Sequence, residues 1–559
     1  MQSFSGVGVS PGRIIGAVRQ MPQPVSEPPA GESRPGAVTA EVAVAALRAA
    51  AKSVHGDLKR RADAAQGDAK AVLEATALMA VDPMLLKSAA KLINGGATAE
   101  RAVWDASASV AEMLHNLGGY MADRATDVLD VRARIVAELR GVPAPGIPES
   151  DVPFILVGED LAPADTATLD PTKILALVTS GGGPQSHTAI IARALGLPAV
   201  VAAVGVGDLV DGCVVYVDGT AGVVQVDPGE AQVAAAAAWA AAASTLTVFD
   251  GNGCLADGHL LPLLANVGGA KDAVAAAAAG AQGVGLLRTE FCFLGRDLEP
   301  SAEDQIAAYR GVFDAFAGKK VVVRTLDAGA DKPLPFLTDA TEPNPSLGVR
   351  GYRTDWTSPG VLARQLAAIA AAAEGTSADV WVMAPMIATV DEAEHFAGMC
   401  AAAGLKTPGV MVEVPSAALT SAAILGQVEF ASLGTNDLTQ YTMASDRMLG
   451  DLAALSTAWQ PAVLQLIAST CHGGAQNHRP VGVCGEAAAD PALAVVLVGL
   501  GVASLSMTAH ALPDVAEVLA SVTLETCREL AALAVESDSA EDARAAVRSR
   551  IPVLDELGL

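Results

Sequence analysis

Residues 181–200 read GGGPQSHTAIIARALGLPAV, a glycine-rich turn followed at once by an apolar helical pattern. The turn places one histidine, His187, where the helix is predicted to begin. Glycines let backbone N–H groups turn towards an anion, and a helix start adds unpaired donors and a positive dipole end. Imidazole is a nucleophile that is largely neutral near pH 7. His187 is therefore a candidate for carrying a phosphoryl group; the alternative is a histidine that caps the helix or fills a core contact.

The segments on both sides of this helix have β-strand patterns. PFILVGEDL and ILALVTS precede the turn, and CVVYVDG and GVVQVDP follow the helix. Residues 1–20 also contain short β-like runs, whereas the region between is helical, as in TAEVAVAALRAAAKSVHGDLKRRADAA. We predict a small α/β domain formed by residues 1–30 and 145–228, with an antiparallel helical bundle at 31–144 inserted into it.

A second α/β region is predicted after an alanine-rich helical linker at 229–250, which reads as a spacer of the kind that a moving domain needs. From 251 to 559, β-like runs alternate with helical patterns, and eight such units are the number in a (β/α)₈ barrel. The runs lie at 260–266, 283–288, 320–327, 380–385, 410–415, 431–437, 480–486 and 503–507. The expected fold is thus α/β and multidomain, a small swivelling domain followed by a TIM barrel.

Composition excludes several classes of function. The net charge of −26 and the aromatic content of 4% disfavour binding to nucleic acid or to anionic membranes, and the charge would attract a basic protein. We expect no secretory signal, because the amino-terminal MQSFSG has neither a basic n-region nor an apolar h-region. We expect no membrane insertion, because the alanine-rich stretches at 231–244 and 367–374 lack the bulky apolar residues of a spanning helix. The seven cysteines are scattered without a CxxC pair, which favours a reduced cytoplasm.

Polar residues collect at the predicted carboxyl ends of the barrel strands, where barrels of this type hold their active sites. Arg288, Arg324 and, beyond its strand, Arg447 could clamp a phosphate and a carboxylate with their forked donors. Glu413 and Asp437 offer hard oxygen ligands for Mg²⁺, which would stabilise charge on an enolate. The other polar residues at these ends are Asn266, Asp327, Asn436, Cys484, Glu486 and Ser506.

Cys484 has two interpretations. It lies in VGVCGE at a predicted strand end, among glycines, where a thiol could donate a proton to substrate. A small buried hydrophobic residue is the alternative at that position.

The quoted segments resemble a known family over essentially the whole chain. SHTAIIARALGLPAV is similar to the phosphohistidine segment of the phosphoenolpyruvate-utilising enzymes, and Thr188 is typical of their Enzyme I branch, which serves the sugar phosphotransferase system. Resemblance to Enzyme I extends over GVGLLRTEFCFLGRD, VVVRTLDAGADKPLPFL, NPSLGVRGYR, GVMVEVPSAA, SLGTNDLTQYTMASDR and VGVCGEAAAD.

The resemblance implies a role for individual residues. It implies phosphorylation of His187, with Thr166 as its hydrogen-bonding neighbour, and proton donation by Cys484. The implied magnesium ligands are Glu413 and Asp437. The implied substrate-binding residues are Arg288, Arg324, Lys332, Arg350, Asn436 and Arg447.

The resemblance also implies a reaction and its partners. Phosphoenolpyruvate would bind with Mg²⁺ at the barrel mouth and phosphorylate the histidine, and pyruvate would leave. The phosphoryl group would then pass to a histidine of the carrier protein HPr, docked on the inserted bundle, and the barrels would pair into a homodimer. Met79, Met84 and Leu85 in the bundle could form an adaptable docking patch or ordinary core.

Other functions fit less of the chain. A pyruvate phosphate dikinase or phosphoenolpyruvate synthase needs a large ATP-binding domain, and no glycine-rich nucleotide loop precedes a helix here. A paralogue in nitrogen-linked signalling usually carries a sensory domain, which we do not expect. A non-enzymatic phosphocarrier would not need the charged rim, and a barrel lyase acting on phosphoenolpyruvate-like acids would not need His187.

Overall fold

The computed structural model describes the chain except for residues 1, 23–24, 65–73, 75, 118, 149, 162–168, 184–185, 246–248, 295, 297, 330–332, 340, 448, 450–451 and 558. For residues 64, 115–117, 119–126, 187, 190, 194 and 242–245, the backbone alone is described. The contacts divide the chain into two compact units, Arg19–Asp151 and the remainder.

Strands from both sides of the helical segment share one eight-stranded sheet of order β1-β8-β7-β3-β4-β5-β6-β2. Pairing is parallel among β4, β5 and β6, and antiparallel in the other described pairs. β-Branched residues such as Ile155, Val178 and Val217 are buried in it, as suits a pleated and covered surface. The strands are Ser3–Ser5, Val7–Ser10, Arg13–Gln20, Phe154–Gly158, Ile174–Thr179, Ala199–Val201, Val214–Asp218 and Val223–Val226, numbered β1 to β8.

The unit Arg19–Asp151 is helical. Its core contains buried Leu47, Leu85, Val103 and Ile135, whereas Met84 is 75% exposed. Of Met79, Met84 and Leu85, the three residues that could form a docking patch or core, Leu85 thus belongs to the core and Met84 faces solvent. The helices are Ala40–Ala64, Pro83–Asn94, Ala99–Leu117 and Gly119–Arg140.

The carboxyl-terminal region contains a closed barrel of eight parallel strands, β9 to β16, in which β16 pairs with β9. Each strand overlaps one of the predicted runs, so the predicted fold class is confirmed. The strands are Leu263–Val267, Gly283–Arg288, Lys320–Arg324, Asp379–Ala384, Pro408–Val412, Phe430–Leu433, Val481–Val483 and Ser504–Met507. Apolar side chains fill the barrel interior, among them Leu286, Val322, Met383, Met411 and Phe430.

Helices surround these strands and connect the two α/β regions. The connecting helix is Glu230–Thr245, within the predicted linker. The helices of the barrel region are Ala270–Ala278, Glu290–Phe293, Ala302–Ala315, Thr354–Thr357, Val361–Ala373, Val390–Ala402, Pro415–Leu419, Ser421–Leu425, Thr435–Met443, Pro461–Asn477, Pro491–Gly499, Leu512–Ala520, Leu524–Val535, Ala540–Arg548 and Val553–Leu557. Among the described residues, no helix combines the length and the apolar character that crossing a membrane would need.

Several strands in the structure end earlier than the sequence predicts. The chain leaves the sheet early because new helices begin there, at Pro415 after β13 and at Thr435 after β14. The polar residues expected at strand ends therefore lie one to four positions beyond them, in the loops of the barrel mouth. These strands end at Arg324, Val412, Leu433 and Val483.

Candidate active site

Two arginines stand side by side at the barrel mouth. Arg288 and Arg324 end β10 and β11 and are direct partners in the parallel register. The Arg324 side chain is buried, and its Nη2 donates to Glu290 Oε1 at 2.5 Å while Nη1 lies 3.2 Å from Asp327 Oδ2. Its Nε is also buried and has no hydrogen-bond partner among the described residues. A buried guanidinium N–H without a partner is costly, so this donor suits an anionic ligand.

A chain of alternating charges crosses the mouth behind these arginines. Arg350 has no solvent-exposed surface, and its Nη2 lies 3.1 Å from Asp327 Oδ2 while its Nη1 lies 3.1 Å from Asp437 Oδ1. The other oxygen of Asp437 accepts from Arg447 Nη1, also at 3.1 Å. Two arginines from different loops thus orient the Asp437 carboxylate at the mouth. These alternating charges bring together the end of β11, the loop before Gly351 and the helix Thr435–Met443.

Glu413 lies directly after β13 and is almost completely buried. Its Oε1 accepts from the Met386 backbone N–H at 2.7 Å. Burial raises the pKa of Glu413, and the nearby carboxylates of Asp437 and Asp327 raise it further. A divalent cation would relieve that repulsion, and hard carboxylate oxygens are the ligands that Mg²⁺ prefers. Glu413 and Asp437 thus fit the metal that the sequence predicts.

Gly434 explains how Glu413 reaches this position. A Cβ at residue 434 would lie 2.7 Å from Glu413 Oε2 and 3.0 Å from its Cβ. Because such distances are far below van der Waals contact, the carboxylate needs a glycine beside it.

Cys484 lies immediately after β15 at the centre of the mouth, and it is 2% exposed. It packs on the apolar barrel interior, including Met383 and Met411. Burial raises the pKa of its thiol to about 11, against the opposing effects of a hydrogen bond with Ser432 and of the Arg324 charge. The thiol is therefore protonated at neutral pH, as a proton donor must be. Both interpretations of this residue agree with its surroundings.

A hydrogen-bonded frame holds the loop that carries Cys484. Asn266 Nδ2 donates to the Cys484 carbonyl at 3.0 Å, and Ser506 Oγ donates to Asn266 Oδ1 at 2.7 Å. Asn436 Oδ1 accepts from the Glu486 backbone N–H at 3.2 Å. The polar residues at the ends of four strands, β9, β14, β15 and β16, are thus brought together, as the sequence predicts for a barrel mouth.

The helix His187–Leu195 begins at the predicted histidine. Ser186 caps it, with Oγ accepting from the Ala189 N–H at 3.3 Å. Thr188 is fully buried, donates to Asp160 Oδ1 at 2.6 Å and accepts from the Leu161 N–H at 3.1 Å, which anchors the helix start to the loop after β4. The imidazole of His187, together with Thr166 and Lys332, lies outside the described structure.

The segment before this helix lies against the barrel mouth. A Cβ on Gly183 would lie 2.5 Å from the Arg447 carbonyl oxygen, so the two backbones are in close contact. Further along the helix, Arg193 Nε lies 2.9 Å from Glu486 Oε2. The structure therefore holds the start of the histidine helix beside the loop of a predicted substrate-binding arginine.

Sequence reasoning missed two members of this site. Glu290, two residues after Arg288, was not predicted, although a carboxylate directly after a strand-end arginine is a usable signal. It positions Arg324. Arg193 was seen only as part of a helical pattern, because its partner is far away in the chain.

Comparison with known proteins gives a consistent result over the whole chain. Models of the PEP-utilising enzymes match residues 5–124 (N-terminal), 151–222 (mobile domain) and 247–524 (PEP-binding domain). A phosphoenolpyruvate-protein phosphotransferase of Streptomyces coelicolor is 53% identical over 98% of this chain and 99% of its own length. Proteins of the same name from Haloferax volcanii and Bacillus subtilis are 37% and 34% identical over 96% and 91% of this chain, and over 97% and 92% of their own.

We expect replacement of Arg350 by methionine to lower the free energy of unfolding by about 3–5 kcal/mol, because it leaves Asp327 and Asp437 buried without their shared cation. Arg364→Gln is the matched control, since Arg364 is 55% exposed in its pair with Glu299 and its loss costs under about 1 kcal/mol. Urea unfolding followed by tryptophan fluorescence measures both. Equal losses of unfolding free energy in the two variants would contradict the role of Arg350 as the shared cation of Asp327 and Asp437.

Proposed function

Because the chain belongs to the phosphoenolpyruvate-utilising enzymes, as a phosphoenolpyruvate-protein phosphotransferase, we propose that its phosphoryl acceptors are His187 and then a histidine of HPr. Pyruvate is the released product, and the reaction is the first step of the sugar phosphotransferase system. The observation that carries this proposal is the contact between the turn before His187 and the Arg447 loop, beside Cys484, Glu413 and the paired arginines.

The domain assignment follows from the same proposal. Residues 1–30 and 145–228 form the phosphohistidine domain, 31–144 the HPr-binding subdomain, 229–250 the linker, and 251–559 the phosphoenolpyruvate-binding and dimerisation domain. The separate helical unit Arg19–Asp151 supports the inserted subdomain, and the models matched at 151–222 and 247–524 support the other two domains.

Substrate binding uses the cationic side of the mouth. Arg288 and Arg324 face the phosphate as adjacent forks, and the Nε of Arg324 provides a buried donor that none of the described residues satisfies. Arg447 and Asn436 approach from the helix after β14 and the loop that follows it. Lys332 belongs to the same substrate set. Arg350 contributes to substrate binding indirectly, because it holds Asp327 and Asp437 in place.

Glu413 and Asp437 would hold Mg²⁺ at the mouth. When bound, the ion stabilises negative charge on the phosphate and on the developing enolate oxygen. Asp437 is already oriented by Arg350 and Arg447, and Glu413 by the Met386 N–H. Their fixed positions mean that little reorganisation accompanies binding.

The chemical step moves one phosphoryl group and one proton. A ring nitrogen of His187 bonds to phosphorus as the bond between phosphorus and the enolate oxygen breaks. The enolate takes the Cys484 thiol proton at its terminal carbon, which gives pyruvate, and solvent later reprotonates the thiolate. Thr166 supports the histidine, whose position at a helix start stabilises the added charge.

Transfer to HPr follows after the histidine leaves the mouth. The helix Glu230–Thr245 links the two α/β regions and permits this movement. Exposed apolar side chains on the helical unit, including Leu78 and Met84, supply a surface for a carrier protein, and the charge of −26 favours a basic one. Homodimerisation through the barrel is favoured by its exposed Trp356 and Leu419. The free, scattered cysteines favour a cytoplasmic location.

His187→Ala should abolish phosphorylation, because it removes the nucleophile while leaving the barrel mouth intact. Protein incubated with radiolabelled phosphoenolpyruvate and Mg²⁺ should carry acid-labile, base-stable label in the wild type and none in the variant. His472→Ala, at an exposed position on an outer barrel helix, is the control and should label normally. Label persisting in His187→Ala would reject the assignment.

Cys484→Ala should slow pyruvate formation by about 10²–10⁴-fold with phosphoenolpyruvate binding largely retained, because it removes the proton donor but none of the charged groups. Rapid-quench measurement of pyruvate gives the rate. Cys400→Ala deletes an equally buried thiol in an outer helix and should turn over at the wild-type rate. A wild-type rate in Cys484→Ala would remove this residue as the donor.

A further inference from the structure

In the described part of the chain, a side-chain ion pair joins the histidine helix to the barrel mouth. Arg193 Nε lies 2.9 Å from Glu486 Oε2, and the side chains are 13% and 24% exposed. Arg193 also donates through Nη1 to the Val9 carbonyl at 3.2 Å, which ties it to a strand of its own sheet. The guanidinium is thus fixed on the small sheet and reaches across to the barrel region. We call the contact between these two regions the seam.

The rest of this seam is loosely packed. A cavity of about 620 Å³ lies along it, lined from the small sheet by residues such as Ser10 and Thr220 and from the barrel region by residues such as Trp459 and His510. Described polar contacts across it include Arg544 Nη2 with the Thr220 carbonyl at 2.9 Å. The cavity leaves part of the seam unpacked, and the described contacts across it include these two polar ones.

Both partners of the ion pair lie close to the chemistry. Arg193 is six residues beyond His187 on one helix, about 9 Å along its axis. Glu486 is two residues beyond Cys484, and its backbone N–H donates to Asn436 Oδ1 at 3.2 Å. The pair therefore sets the distance between the nucleophile's helix and the loop that carries the proton donor.

We propose that Arg193 is a positioning residue, whose ion pair with Glu486 holds the phosphohistidine domain on the barrel mouth during transfer from phosphoenolpyruvate. This inference rests on the proposed function. A partly exposed ion pair is modest in strength, which suits a contact that forms and breaks in every turnover. It acts in the half reaction with phosphoenolpyruvate and has no role when the histidine exchanges its phosphoryl group with HPr.

The test compares the two half reactions in Arg193→Gln. We expect the rate of phosphorylation by phosphoenolpyruvate to fall about tenfold with the KM for phosphoenolpyruvate within twofold, because the substrate site is on the barrel. Phosphorylation by HPr carrying phosphohistidine should stay within twofold of wild type. Arg479→Gln is the matched control, since Arg479 pairs with Glu429 at the opposite rim of the barrel, with 3.1 Å between Nη2 and Oε1.

Charge exchange separates an ion pair from a general structural role. The double variant Arg193→Glu/Glu486→Arg should be phosphorylated by phosphoenolpyruvate at least three times faster than Arg193→Glu alone. Equal slowing of both half reactions, no slowing of either, or a double variant no faster than the single one would overturn the proposal. A wild-type protein that forms no phosphohistidine from phosphoenolpyruvate would instead reject the proposed function itself.

Discussion

The chain of buried charges from Asp327 through Arg350 and Asp437 to Arg447 constrains everything around it. Arg350 has no exposed surface, so it is tolerated only while both carboxylates stay within hydrogen-bond distance. Its partners come from distant parts of the sequence, and the barrel must close before they can meet. The same closure places Glu413 beside Asp437, where the pKa of Glu413 rises through burial and through repulsion. The stability of the barrel and its capacity for a cation thus have one origin.

The two buried arginines at the mouth, Arg350 and Arg324, have different roles. Arg350 is saturated by carboxylates, whereas Arg324 keeps a buried N–H that the described residues leave unpaired. The first arginine organises the anionic side and the second is available to a substrate phosphate. Cys484 packs on apolar side chains of the barrel interior, and this burial keeps its thiol protonated. The histidine helix approaches from outside this frame, so the chemistry can be assembled and dismantled by one movement.

Local pattern predicted most of the fold, because buried parallel strands read as short apolar runs at regular spacing. It also predicted which residues meet at the mouth, since carboxyl ends of parallel strands share one rim. Strand ends were misjudged where polar residues continue the run into a new helix, as at Asn436 and Asp437. Pairings such as Arg324 with Glu290, or Arg193 with Glu486, depend on side-chain reach across tertiary structure. No spacing in the sequence identifies these partners, although the position of Glu290 soon after a strand-end arginine is a usable signal that a carboxylate lies at the site.

We propose that Glu413 and Asp437 hold a divalent cation when the mouth binds phosphoenolpyruvate, and that this cation strengthens the binding. Calorimetric titration of phosphoenolpyruvate into His187→Ala protein measures this without turnover. We expect at least tenfold tighter binding with Mg²⁺ than without it, and loss of that difference in the same protein carrying Glu413→Gln. Equally tight binding in the absence of Mg²⁺ would contradict it.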